Sequence, residues 1–137
     1  MNPAGAVRSN RQSMTRVRAD PVVHLELCTS DAASACWFYA RMFGWTPEAV
    51  HVGSTSYLTL DVGGGIEAGV AVDESAPPSW LPYVAVGDIA VATERARLLG
   101  GAIMLDSREG PAGWRSVVAA PGGARIALWQ AKAHELG

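Results

Sequence analysis

The sequence predicts an α+β fold made of two βαβββ units that share one core. Three observations carry this. The chain echoes itself at an offset of 57 residues: Pro21 to Asp31, an apolar stretch and Gly44 return as Pro78 to Asp88, an apolar stretch and Gly101. Each half opens on two-residue alternation that gives way to helical spacing just after the Asp. Each then supplies three more short apolar segments separated by Gly- or Pro-containing turns. A repeat of this length in a 137-residue chain means two similar units with a common core, because neither half could bury enough surface alone. A site between two such units draws on equivalent positions in each.

Val22 to Thr29 alternates and reads as a strand, with Leu25 and Leu27 on one face and His24, Glu26 and Cys28 on the other. Asp31 is placed to cap a helix and Gly44 to end it in the left-handed conformation. Between them Ala35, Phe38 and Met42, with Tyr39 and Phe43 beside them, form an apolar stripe at helical spacing. Leu25 and Leu27 then pack beneath the helix, and His24 and Glu26 stay on the open side of the sheet. Strands are expected at 46–52, 56–62 and 66–72, the last two joined through Gly63-Gly64-Gly65. Pro77-Pro78 marks a linker. The second unit repeats the order: a strand at 81–86, a helix capped by Asp88 and ended by Gly100-Gly101, then strands at 102–105, 114–120 and 125–131. One domain is expected over 20–131, with modules 20–72 and 79–131, a disordered leader over 1–19 and a tail over 132–137. The leader suggests Met14 as an alternative initiator.

The composition excludes several function classes. A net charge of −2 gives no field for nucleic acid, and no basic stripe with interleaved aromatics is present. No apolar run approaches the roughly 20 residues that span a bilayer. The opening residues carry Arg8, Arg11, Arg16 and Arg18 without an apolar stretch, which argues against a secretory signal and for a cytoplasmic protein. Cys28 and Cys36 read as buried thiols in a reducing compartment. There is no G-x-S-x-G, no phosphate-binding loop and no orienting triad.

The phrase Phe38-Tyr39-Ala40-Arg41-Met42-Phe43-Gly44-Trp45 resembles the helix-end signature of the vicinal-oxygen-chelate superfamily, which includes glyoxalase I, bleomycin-resistance proteins and extradiol dioxygenases. Val86-Gly87-Asp88 with Leu99-Gly100-Gly101 looks like its second-module counterpart, and Pro121-Gly122-Gly123-Ala124-Arg125-Ile126-Ala127-Leu128-Trp129 resembles its closing motif, with Ala120 where Asp is usual. The resemblance covers residues 20 to 131 and is greatest for one half of the two-domain mycobacterial 27–30 kDa antigen type. It implies that the two modules curl into an open half-barrel, and that the protein is a homodimer.

In metal-dependent members, the resemblance implies, each module's first and last strand gives one ligand. The corresponding places are His24, a residue near Glu67, Leu81 and Ala127. Leu and Ala cannot donate, so no metal and no other cofactor is expected. The other histidines, His51 and His134, do not obviously complete a set. His24 and Glu67 are the catalytic candidates, with His24 either a general base or a relic ligand position, and Glu67 either a carboxylate of raised pKa or the ion-pair partner of Arg125. Glu26, Tyr57, Trp80, Tyr83, Trp114 and Arg125 are the ligand-binding candidates. Trp37 and Trp45 are assigned to the core. The leading reading is a metal-free protein binding, and in a further step transforming, a small and largely apolar organic molecule in secondary metabolism or detoxification. A drug-sequestering module of the bleomycin-resistance kind is the alternative. A divalent-metal lyase, isomerase or dioxygenase is the third.

Overall fold

The structure, a computed structural model, describes residues 19–133. The proposed leader and tail, with Met14 and His134, fall almost wholly outside these residues. Ten elements follow one another: β1 (Val22–Thr29), α1 (Ala32–Phe43), β2 (Thr46–Val52), β3 (Thr55–Asp61), β4 (Glu67–Val72), β5 (Ser79–Ala85), α2 (Ile89–Leu98), β6 (Ala102–Glu109), β7 (Gly113–Ala119) and β8 (Arg125–Ala131). Each half is βαβββ, as the echo predicts. Strand β6 runs further than the sequence suggested, up to the Gly/Pro loop.

The eight strands form one open curled sheet in the order β2-β3-β4-β1-β5-β8-β7-β6. At its centre β1 and β5 run antiparallel, with His24 opposite Tyr83 and Glu26 opposite Leu81. Glu26 and Tyr83 are 57 residues apart, as are His24 and Leu81, so the two pairs exchange under a local two-fold axis between the strands. The sequence echo is therefore the symmetry of the sheet. On either side β1 pairs with β4 and β5 with β8, both in parallel.

The helices cover one face. The Asp31 carboxylate accepts from the Ser34 amide at 3.0 Å and caps α1, and Asp88 accepts from the Val91 amide at 3.0 Å and caps α2. Gly44 ends α1 with φ 72° and donates its N–H to the Ala40 carbonyl. In α2 the positive φ falls on Gly100, and Gly101 is needed for closeness: a Cβ there would stand 2.9 Å from the Ala119 carbonyl oxygen. Under α1 lie Leu27, Leu60 and Ala68, clustered with Cys36 of the helix itself, with Trp45 and Trp80 packed against them. Under α2 lie Ile89, Val118 and Leu128. The outward side of α1 departs from the expected core stripe. Trp37 is 64% exposed, and Phe38, Met42 and Phe43 are also exposed, because the inward positions are taken by Ala35, Cys36 and Tyr39. Among the described residues no helix is long and apolar enough to cross a membrane.

Candidate functional site

The concave face of the sheet, opposite the helices, carries the site. Alternation along β1 sends Leu25 and Leu27 toward α1 and leaves His24, Glu26 and Cys28 on this face, as predicted. From β5, Leu81 and Tyr83 join them, packed with Val117 and Ala127. The Tyr83 hydroxyl donates to Glu26 Oε2 at 3.3 Å, and the Cys28 thiol donates to Glu26 Oε1 at 3.7 Å. The His24 ring meets the Tyr83 ring edge-on, centroids 5.1 Å apart. On the other side of Tyr83, the Arg115 guanidinium carbon lies 5.8 Å from the ring centroid. Burial, then the Glu26 charge, pushes the Tyr83 phenol up to about 12. Burial and the same carboxylate raise the Cys28 thiol. Neither group is an ionised nucleophile near neutral pH.

Beside this cluster a groove of about 600 Å³ runs along the second module, walled by Leu105, Trp129, Arg108, Arg115 and the Gly110–Gly113 turn, with Tyr57 reaching in from the first. Gly113 forms part of its floor. A Cβ at that position would collide with the Gln130 carbonyl oxygen and lie 2.8 Å from the Trp129 ring.

The structure thus brings together His24, Glu26 and Tyr83, and places Tyr57 at the groove. Four candidates lie elsewhere. Glu67 is exposed at the start of β4, opposite Asp61. The β4 residue beside His24 is Gly69, whose Cβ would stand 3.3 Å from His24 Nε2. The three glycines Gly63, Gly64 and Gly65 all take positive φ and form the expected turn between β3 and β4. Arg125 opens β8 opposite Ala119, exposed, and makes no ion pair with Glu67 among the described residues. Trp80 adjoins Leu81, and strand alternation turns it to the helix face, where its indole N–H donates to the Tyr39 hydroxyl at 3.1 Å. Trp114 packs under α2 for the same reason, with Lys132 Nζ 5.6 Å from its ring centroid. Arg115 and Arg108 are site residues that sequence reasoning missed. The signal for Arg115 was its place one strand across from Trp129, which the Pro121-Gly122-Gly123 hairpin fixes.

The four ligand positions of the metal-dependent fold can now be read directly. They hold His24, Gly69, Leu81 and Ala127, related in pairs by the central two-fold. Only His24 can donate, and among the described residues no three His, Cys, Asp or Glu side chains cluster as a metal site. These residues do not fit a catalytic divalent ion, which needs at least three protein donors.

Duplicated βαβββ units about a two-fold, with a recessed concave face, define a glyoxalase-like protein, and the chain belongs to the vicinal-oxygen-chelate superfamily. It is 32% identical over 118 residues to "Putative glyoxylase CFP32" of Mycobacterium tuberculosis, covering 80% of this chain and 45% of that protein. It is 27% identical over 135 residues to "Anthracycline biosynthesis protein DauV" of a Streptomyces species, covering 85% of this chain and 49% of that one. The chain spans about half the length of these curated relatives. Among solved structures, methylmalonyl-CoA epimerase from Mycobacterium tuberculosis superposes with a TM-score of 0.58 at 18% identity, covering 88% of this chain and 96% of the epimerase. The hypothetical protein BH1468 from Bacillus halodurans superposes with a TM-score of 0.61 at 12% identity, covering 88% of this chain and 100% of that protein. At such identities these two likenesses speak for the fold alone. No family profile matches the chain.

Proposed function

We propose that this protein binds a small, largely apolar organic molecule in the concave groove and holds it without a divalent metal. The observation that carries the reading is the groove itself, roomy and mostly apolar, with aromatic walls from Tyr57 and Trp129 and a few polar side chains among them. The donor count supports the metal-free part, since Gly69, Leu81 and Ala127 offer no ligand. The likeness to a protein named for anthracycline biosynthesis supports a planar aromatic ligand from bacterial secondary metabolism. His24, edge-on to Tyr83 beside the groove, is the group placed to move a proton if the ligand is also transformed. The same reading includes a homodimer in the cytoplasm, supported by the apolar patch of Trp37, Phe38, Met42 and Phe43 on α1, which a second copy would cover.

The test is chemical-shift mapping on labelled protein with naphthalene derivatives as probes. Saturable shifts confined to the Trp129 indole, Leu105 methyls and Tyr57 ring are expected. Shifts spread over α1, or none at the groove, would defeat the reading.

A further inference from the structure

We infer that the groove is built for an anionic ligand: a planar organic acid whose carboxylate sits between Arg108 and Arg115. The inference rests on the groove being the binding site.

Four observations support it. Arg108 on β6 and Arg115 on β7 stand directly opposite each other in the antiparallel register, and both line the groove. Like charges facing each other across a strand pair are destabilising, so the arrangement calls for a counter-charge. Among the described residues no carboxylate makes an ion pair with either arginine. The one acid in the groove wall, Glu109, is taken by Lys132, with Nζ to Oε2 at 2.7 Å. Glu26, the acid on the neighbouring strands, accepts instead from Tyr83 and Cys28. Finally, Arg115 Nε is buried with no hydrogen-bond partner, a donor that has given up water and found no acceptor.

The shape of the site states the rest of the ligand. A guanidinium offers a planar fork of donors that matches a carboxylate two bonds at a time, and two of them can hold one such group from both sides. Arg115 is already held in place against the Tyr83 ring, so little freedom is lost on binding. The remaining walls include Leu105, Tyr57 and Trp129, the last directly across from Arg115, and they suit a flat apolar body held beside the guanidinium. A cationic drug, the ligand of the sequestering alternative, would be repelled here.

The experiment uses three probes of one shape on the whole chain: 2-naphthoate, 2-naphthamide and 2-naphthylmethylammonium. Affinity is read from the Trp129 indole shift. Naphthoate is expected to bind about tenfold more tightly than the amide, the size of a charge-assisted hydrogen-bond gain, and the ammonium more weakly than either. The naphthoate preference should shrink in salt. Arg115→Gln and Arg108→Gln should each bring naphthoate to within about twofold of naphthamide, because the charge-assisted part of the contact is lost. Arg108 is exposed, so its variant keeps the test open if the Arg115 one folds poorly. If naphthoate and naphthamide bind the wild type equally, shifting Trp129 alike, the groove reading stands and the anion inference falls. If all three leave Trp129 and Tyr57 unmoved, the groove reading itself fails and this inference with it.

Discussion

Replacing Leu81 by His and Ala127 by Glu should create a metal site where the wild type has none. The two positions flank Tyr83 on the concave face: Leu81 lies two residues before it on β5, and Ala127 lies opposite it on β8. Position 81 is also the two-fold equivalent of His24. The double variant would therefore bring three donors toward one point. A complete four-donor zinc site is worth about 10–16 kcal/mol at pH 7, so each donor carries roughly 3–4 kcal/mol, or two to three orders of magnitude in affinity. Two added donors should take zinc binding from negligible to micromolar or tighter. Gly69 is left alone, because a side chain there would push His24 Nε2 from a distance of 3.3 Å. The substitutions have a cost. Ala127 is 0% exposed and Leu81 7% exposed, so the metal-free variant buries a carboxylate without a partner and should lose about 2–4 kcal/mol of stability. Zinc at a thousandfold excess over Kd should return about 4 kcal/mol. Calorimetric titration and thermal melts with and without zinc read both quantities. A variant that folds but binds zinc no better than the wild type would show that His24, Leu81 and Ala127 do not converge. Wild-type protein carrying one zinc per chain would refute the donor count.

The core and the site make further predictions. Leu60→Ala, at a fully buried position under α1, should cost about 2–5 kcal/mol in chemical denaturation. Trp80→Phe should cost about 1–2 kcal/mol by removing the bond to the Tyr39 hydroxyl, and should leave groove binding intact because the side chain faces the helix. Tyr83 has its folded pKa raised from 10.0 to about 12, so its contribution to stability is complete below pH 10 and is lost as pH rises toward 12; ultraviolet titration should show one late tyrosine step that moves down on unfolding. Glu26→Gln removes a carboxylate that raises the Cys28 thiol, so alkylation of Cys28 at pH 8 should quicken several-fold while Cys36 stays protected. Light scattering at micromolar concentration should give twice 14.4 kDa, and Phe38→Glu should return the monomer mass.

Much of the fold was legible because its signals are local. Asp31 and Asp88 precede helices that must be capped, and the capping bonds are made by the residues three positions on. The face of β1 was legible because Leu25 and Leu27 alternate with three polar residues, and a strand with one buried face fixes its own orientation. The aromatic candidates show where this runs out. Trp80 and Trp114 have the chemistry of ligand-pocket residues, but chemistry does not choose a face. Leu81 already occupied the cavity position, and period-two alternation then commits Trp80 to α1. Likewise Trp114 follows from Arg115, whose importance depends on a cross-strand neighbour on β8 that no local pattern displays.

The ligand position on β4 is Gly69, two residues past Glu67, and comparing it with its equivalent on β8 shows where the two units differ in length. Glu26 and Tyr83 are related by the central axis at a spacing of 57. Further out, Glu26 pairs with Gly69 on β4, and its equivalent Tyr83 pairs with Ala127 on β8, so Gly69 and Ala127 correspond at a spacing one residue longer. The same spacing relates Thr59, opposite Gly69, to Val117, opposite Ala127. The extra residue falls in the eight-residue strand β6, which stands where the first unit has the seven-residue β2, at the register shift between Leu105 and Arg108. Beyond it the longer spacing makes Tyr57 the equivalent of Arg115, so the two walls of the groove are one position used twice. The first unit presents there an aromatic ring and the second a guanidinium. A duplicated scaffold gains an asymmetric site in this way: equivalent backbone positions line one cavity, and the divergence of their side chains puts an aromatic ring on one side of the axis and a guanidinium on the other.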